Sequence, residues 1–268
     1  MSFDTKTLKN RIKSVDSTLH LTKAMGLVAS SKIRKANLNM AAAGEYRGSI
    51  ENVINLLSGS RECAKSPFLR EVSGDKERLM VIAGDRGLAG GYNVNVFRFL
   101  RQFENPDILP IGKRACERYG EGYLSSEKFS QSDAAQLSKR LCGEFLNGDF
   151  DRLGIVYTRY ISMMTQTPSV KWILPIEKSK SSGIGTVFEP DQKTVLEFAV
   201  LEYVTGVIMD CVRESFASEV AARRMAMDNA GKNARQIISD LQIKYNRARQ
   251  GAITQEITEI VAGSGEQI

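Results

Sequence analysis

The sequence predicts an α/β protein: a long antiparallel coiled coil of N- and C-terminal helices, plus a small Rossmann-like domain with a mostly parallel sheet. Three observations predict it. All six prolines, Pro67, Pro106, Pro110, Pro168, Pro175 and Pro190, lie in the middle of the 268 residues. Proline removes a helical hydrogen bond and clashes with the preceding turn, so the two proline-free ends suit long helices. Apolar and small residues recur near both ends at steps of three and four. Between them, short apolar runs alternate with amphipathic stretches. The expected boundaries are 1–60 for the N-terminal coiled-coil helix, 61–192 for the α/β domain and 193–268 for the C-terminal coiled-coil helix.

The first helix follows from a seam through Leu8, Ile12, Val15, Leu19, Thr22, Gly26, Ala29, Ile33, Ala36, Met40, Ala43, Arg47, Ile50, Ile54 and Leu57. Sustained over seven heptads, it predicts one helix of about fifty residues, roughly 75 Å long, with a left-handed supercoil. The small residues at its centre let a partner helix approach closely. Gly26 costs about 1 kcal/mol relative to alanine in a helix interior, so that position calls for a structural reason.

In the centre, Arg78–Ala83, Asp107–Ile111, Leu153–Tyr157 and Val170–Ile176 read as short buried strands. Amphipathic stretches at Val94–Phe103, Lys113–Tyr119 and Ala134–Leu146 separate most of them, which argues for a small parallel sheet covered by helices. The segment Glu177–Gly185, rich in Lys, Ser and Gly, reads as a mobile loop.

From about Lys193 to Ala262 the pattern is helical again, through Phe216, Val220, Met227, Ala230, Ala234, Ile237, Leu241, Ala248 and Ala252, with Arg223 and Lys244 as interruptions. Gly263-Ser264-Gly265 offers a left-handed cap at its end. About seventy residues of helix, roughly 105 Å, would overhang the first. The overhanging end must then bury Ile253, Ile257, Ile260 and Val261 against something else.

Composition narrows the function classes. An apolar content of 42% is that of a folded protein. No apolar run approaches the roughly 18–20 residues that span a bilayer, and Met1-Ser2-Phe3-Asp4 lacks the layout of a secretion signal, so neither membrane insertion nor export is expected. Four scattered cysteines (Cys63, Cys116, Cys142, Cys211) and one histidine (His20) favour neither a zinc site nor a disulfide framework, and fit a reducing cytoplasm. The net charge of +6 is concentrated near the N-terminus, where Lys6, Lys9, Arg11, Lys13, Lys23, Lys32, Arg34 and Lys35 are opposed by Asp16. Such a stripe attracts an acidic partner: nucleic acid, anionic lipid or acidic protein loops. It lacks the aromatic interleaving of single-strand nucleic-acid surfaces.

Catalytic signals are weak. Gly84-Asp85-Arg86-Gly87-Leu88-Ala89-Gly90-Gly91 follows a strand and precedes a helix, where phosphates are cradled, but it has neither the Gly-Lys-Ser/Thr ending of a P-loop nor Rossmann glycine spacing. A tight structural turn is the better reading. His20 sits on the first helix, far from the insert, and Glu256 and Glu259 are spaced i, i+3 on a helix end without a pocket. No nucleophile, base and orienting group assemble, and no cofactor or metal is expected.

Two polar-rich segments of the long helices, Thr22 to Ala36 and Tyr245 to Ile260, resemble the two end motifs of the gamma subunit of F-type ATP synthases. Gly84 to Asn93 and Met225 to Ala234 also look like regions of that family. Gly26 and Leu27 stand where the family commonly has Glu and Met, and Gly84 where it commonly has Ser. The resemblance implies a central rotor shaft without a catalytic site of its own, peripheral on the cytoplasmic face of the cell membrane, coupling ion flow to ATP synthesis or hydrolysis. It implies as partners the alpha and beta subunits, the epsilon subunit and the membrane c-ring. Met25, with Lys23 beside it, matches the position that faces the acidic loop of a beta subunit. Arg249 and Gln250 match residues that grip a beta loop, and Thr254 and Glu256 belong to the same contact zone. Ile257, Ile260 and Val261 match the tail held in the apolar bearing of the alpha/beta ring.

Overall fold

The structure is a computed structural model describing residues 5–72, 74–123, 125–179 and 188–264. Two helices dominate it: α1, Thr5–Ser58, and α5, Gln192–Ser264. Between them come strand β1 (Glu77–Ile82), helix α2 (Tyr92–Phe99), β2 (Asp107–Ile111), helices α3 (Lys113–Tyr119) and α4 (Gln131–Asn147), and strands β3 (Arg152–Tyr160) and β4 (Gln166–Leu174). The expected architecture of long terminal helices and a small, mostly parallel sheet is what forms. Residues 180–187, which include most of the segment read as a mobile loop, and Gly265 of the expected cap lie outside the described residues.

The chain divides into two compact units, one of Met1–Val28 with Arg224–Ile268 and one of Ala29–Arg223. In the second unit the strands run in the order β2-β1-β3-β4, with β1 parallel to both β2 and β3. β4 is the antiparallel member of this mostly parallel sheet: it pairs antiparallel to β3. Residues 161–165 are too few for a crossover helix, so the chain turns back as a hairpin.

Period-two alternation gives the sheet two apolar faces. Met80 and Ile82 of β1 and Leu153 and Ile155 of β3 face a large core completed by Leu141 and Phe145 of α4, Val204, Val207 and Ile208 of α5, and Ile54 and Leu57 of α1. Leu79, Val81 and Val156 face the opposite way, toward Val96 and Leu100. Ser130 starts α4 with a reciprocal capping box: its hydroxyl accepts from the Asp133 N–H, and Asp133 accepts from the Ser130 N–H.

Within this unit α1 and α5 run antiparallel. Asp210 faces Gly44, and the Tyr46 ring faces Gly206. Arg47, a charged residue in the predicted apolar seam, is accommodated because its Nε donates to Asp210 at 2.6 Å and its guanidinium also meets Glu51. Along α1, every predicted seam position is buried or half-buried.

Candidate functional site

The unit of Met1–Val28 and Arg224–Ile268 holds the residues expected to meet the beta subunits and the bearing, and it is a helix pair in antiparallel register. Gly26 lies against Met227, and Gly231 against Leu19 and Thr22. Leu8, Leu19, Met227, Ala234 and Leu241 are buried in the seam. On α5 the seam runs through Arg224, Met227, Gly231, Ala234, Ile238, Leu241, Tyr245 and Ala248, all buried or half-buried. This corrects the expected position Ile237, which is 47% exposed, while the expected Ala230 is half-buried. Two adjacent isoleucines left the sequence pattern degenerate, and only the facing helix resolves which one turns inward. Arg223 and Lys244 likewise do not interrupt the seam, because Arg224 and Tyr245 occupy it.

Gly26 now has a physical reading. A Cβ there would lie 3.6 Å from Met227 Cβ, an ordinary contact, so close approach alone does not demand glycine. Arg224 does use the open space: its Nη1 donates to the Gly26 carbonyl at 2.9 Å, while its Nε donates to Asp228 at 3.0 Å. A groove of about 290 Å³ results, lined by Thr22, Lys23, Gly26, Leu27, Arg224, Met227, Asp228, Gly231 and Arg235. Arg224 was not singled out from the sequence; its place one seam step before Met227 was the available signal.

Each step along α1 toward its start is matched by one step along α5 toward its end, from Gly26 and Met227 to Thr22 and Gly231. Continued, this sets Thr5 opposite Ala248, so α5 from Arg249 onward runs past the described start of α1. Residues 249–262 are all exposed. Ile253, Ile257, Ile260 and Val261 are between 46% and 71% exposed, a row of large apolar side chains that water solvates poorly. The polar groups among them bond within the helix: Thr254 Oγ1 donates to the Gln250 carbonyl at 2.9 Å, and Thr258 Oγ1 to that of Thr254 at 2.8 Å.

The expected contact residues therefore form two stations rather than one site. Lys23, exposed, and Met25, half-buried, stand beside the groove; Arg249, Gln250, Thr254 and Glu256 stand on the overhang with Ile257, Ile260 and Val261. From the register, Lys23 lies opposite Ala230, roughly 28 Å along the helix from Arg249.

In the other unit, the Gly84–Gly91 loop is filled by the protein's own groups. Burial would raise the Asp85 carboxyl, but donors from Ser125 and from the backbone of Ser126, Glu127 and Lys113 outweigh it and hold the group below the usual carboxylate value. The Gly84 N–H donates to Asn93 Oδ1 at 2.9 Å. Glu219 lies directly behind Gly84. A phosphate would meet two carboxylates, Asp85 and Glu219, beside a Gly84 N–H that already donates to Asn93, which supports the reading of a structural turn.

His20 is exposed, with Nε2 3.6 Å from Asp16. The four thiols are free, and burial raises each of them, Cys142 to about 11. Among the described residues, no group of three or more His, Cys, Asp or Glu is arranged to hold a metal ion, and no helix is long and apolar enough to cross a membrane.

A family model described as ATP synthase matches residues 4–265. The ATP synthase gamma chain of Ruminococcus albus is 39% identical over 278 residues, covering 97% of each chain, and that of Clostridium perfringens is 34% identical over 274 residues with the same coverage. Among solved structures, a chain of the Euglena gracilis mitochondrial ATP synthase, in an assembly of OSCP, F1 and c-ring in rotational state 3, aligns with a TM-score of 0.69 at 19% identity. That alignment covers 98% of this chain and 96% of the other. A chain of the rotor of the same enzyme in rotational state 1 gives 0.63 at 18% identity, covering 93% and 98%. At such identities the structural likeness speaks for the fold, while the sequence relatives and the family model speak for descent: the chain belongs to the ATP synthase gamma chain family.

Proposed function

We propose that the chain is the central rotor shaft of an F-type ATP synthase, coupling ion flow through the membrane sector to ATP synthesis or hydrolysis on the alpha/beta ring without a catalytic site of its own. The observation that carries this reading is the overhang of α5: a bare helix with an apolar row at Ile253, Ile257 and Ile260, preceded by Arg249 and Gln250. A helix end whose large apolar side chains are exposed among the described residues is suited to a socket supplied by another chain. In this reading Ile257, Ile260 and Val261 run in the apolar bearing of the ring, and Arg249, Gln250, Thr254 and Glu256 engage a beta-subunit loop. Lys23 and Met25, at the lower station, face the acidic loop of a beta subunit. The α/β domain of 61–192 sits on epsilon and the c-ring at the cytoplasmic face of the cell membrane, and the helical segments 1–60 and 193–268 form the shaft.

Force transmission needs differential contact, because a partner shifts a conformational equilibrium only by binding its states unequally. Around the shaft the side chains differ: cations at Lys23 and Arg235, apolar groups at Leu21 and Leu27, amides and guanidinium at Gln250 and Arg249. Turning such a shaft brings a different chemistry to each beta subunit in sequence, and each nucleotide site changes affinity in turn. The absence of assembled catalytic groups in the sequence and the self-occupied Gly84–Gly91 loop support a non-catalytic role.

The direct test is co-purification: the tagged full-length chain should emerge with three larger nucleotide-binding pairs. In the assembled complex, Met25→Lys adds a cation facing acidic loops and should lower ATP-driven ion pumping per ATP hydrolysed. A chain that purifies alone, or a Met25→Lys complex as tightly coupled as wild type, would count against the reading.

A further inference from the structure

Behind the Gly84–Gly91 loop, α5 turns two charged side chains inward on successive turns. The Glu219 side chain is 4% exposed and pairs with Arg223, whose side chain is 15% exposed. Arg223 Nη2 also donates to the carbonyls of Gly87 at 3.3 Å and Arg86 at 3.4 Å. One guanidinium thus joins a buried carboxylate to the backbone of the loop. Glu219 also presses on the loop's first residue: a Cβ on Gly84 would stand 2.8 Å from Glu219 Cδ and 2.9 Å from Oε1. That is closer than real Cβ contacts come, so any side chain at position 84 would push the Glu219 carboxylate aside, and glycine leaves it in place.

The loop held this way is strained. Leu88 has φ of +59°, a left-handed conformation that a side chain with a Cβ resists, and its side chain is 63% exposed. Arg86 is exposed beside it. A conformation of this kind persists only where the surroundings impose it. Asn93 contributes by accepting from the Gly84 N–H and donating to the Arg86 carbonyl at 3.5 Å, and Asp85 ties the loop to residues 125–127.

Burying Glu219 is costly, and a neutral side chain of the same shape would avoid the desolvation. Burial raises its carboxyl above the ordinary value, against the pull of Arg223. The charged and titratable groups facing it are Arg223 on α5, Asp85 in the loop, Glu127 in the segment before α4 and Tyr92 on α2. Arg223 is the cation among them, so the negative charge of Glu219 has one evident use: to fix the Arg223 guanidinium where it reaches both loop carbonyls.

We propose that Glu219 and Arg223 form a latch, in which Glu219 is a positioning residue that acts through Arg223 to hold residues 86–88 in the strained shape that displays Arg86 and Leu88, with Gly84 providing the space. The latch lies within the Ala29–Arg223 unit and is independent of the shaft reading, since it can be tested on the full-length chain without partners.

The test is backbone amide NMR relaxation on the full-length chain. Glu219→Gln keeps the side-chain shape and removes the charge; it should lower the order parameters at residues 86–90 from about 0.85, the rigid value, to below about 0.6, while leaving β1 and β3 unchanged. Arg223→Gln should loosen the same residues. A merely structural role would not give the pH dependence: in wild type, the order of the loop should fall on acidification through the raised Glu219 titration, and in Glu219→Gln it should be flat. Asp85, held low, titrates further into acid and is separable on that basis. Order at 86–90 unchanged in both variants, loosening spread equally through β1 and β3, or the same pH profile in wild type and Glu219→Gln would each overturn the latch.

Discussion

The same helix, α5, behaves in opposite ways in the two units. Within Ala29–Arg223 it supplies Val200, Val204, Val207, Ile208, Cys211 and Val212 to the core, each no more than 1% exposed. Beyond Ala248 its described side chains are exposed, isoleucines included. One stretch is helical because packing against the sheet and α4 rewards it; the other must rely on backbone hydrogen bonds and local propensity. The contrast teaches where stability lies: the α/β unit buries its apolar groups within its own chain, and among the described residues those at the end of α5 stay exposed.

This comparison can be broken at both ends. The largest effect on stability is expected in the α/β unit: Leu141→Ala, at a fully buried position, should lower the free energy of unfolding by about 2–5 kcal/mol, measured by urea denaturation. A loss below ~1 kcal/mol would mean that the core is not where the stability resides. Next, Asp85→Asn removes the charge from a carboxylate that accepts several hydrogen bonds and should cost about 1–2 kcal/mol at neutral pH. Because the folded Asp85 carboxyl is held below its unfolded value, its contribution is present above the ordinary carboxylate pKa and is lost as pH falls through its own. The gap between wild type and Asp85→Asn should therefore close on acidification, and a gap constant to low pH would contradict the assignment.

In the helix-pair unit the expected changes are smaller, and one has the opposite sign. Gly26→Ala adds a Cβ that meets Met227 at an ordinary distance, so it should stabilise by about 0.5–1 kcal/mol, seen as a raised Tm. A fall in Tm would show that the groove is tighter than its geometry. Smallest for stability is Arg249→Ala, on an exposed helix face, expected within ~0.5 kcal/mol of wild type. In the assembled ATPase the same change should reduce coupled activity, and unchanged coupling and rate would remove Arg249 from the contact.

Much of this was legible in the residues. The α1 seam could be read position by position because fourteen consecutive steps of three or four leave no competing phase. The strands of the sheet stood out as apolar runs bounded by turn residues. The α5 seam was legible in period and misread where Ile237 competes with Ile238. The antiparallel β4 required knowing that residues 161–165 turn rather than cross. The end motifs pointed to Lys23, Met25, Arg249 and Gln250 as proposed contact residues, whereas the placement of Arg224, Glu219 and Gly84 was not visible.

By itself, the sequence determined what depends on local pattern: two long proline-free helices, a small sheet between them, a basic N-terminal stripe and the motifs that identify the family. Proline geometry, helical period and strand alternation act over a few residues and can be read along a line. Only the tertiary structure decided which of two adjacent side chains faces a partner helix, that Arg224 reaches the Gly26 carbonyl, and that Glu219 rests where a Cβ of residue 84 would be. Those facts depend on atoms brought together from positions more than a hundred residues apart, and no local period encodes such a distance.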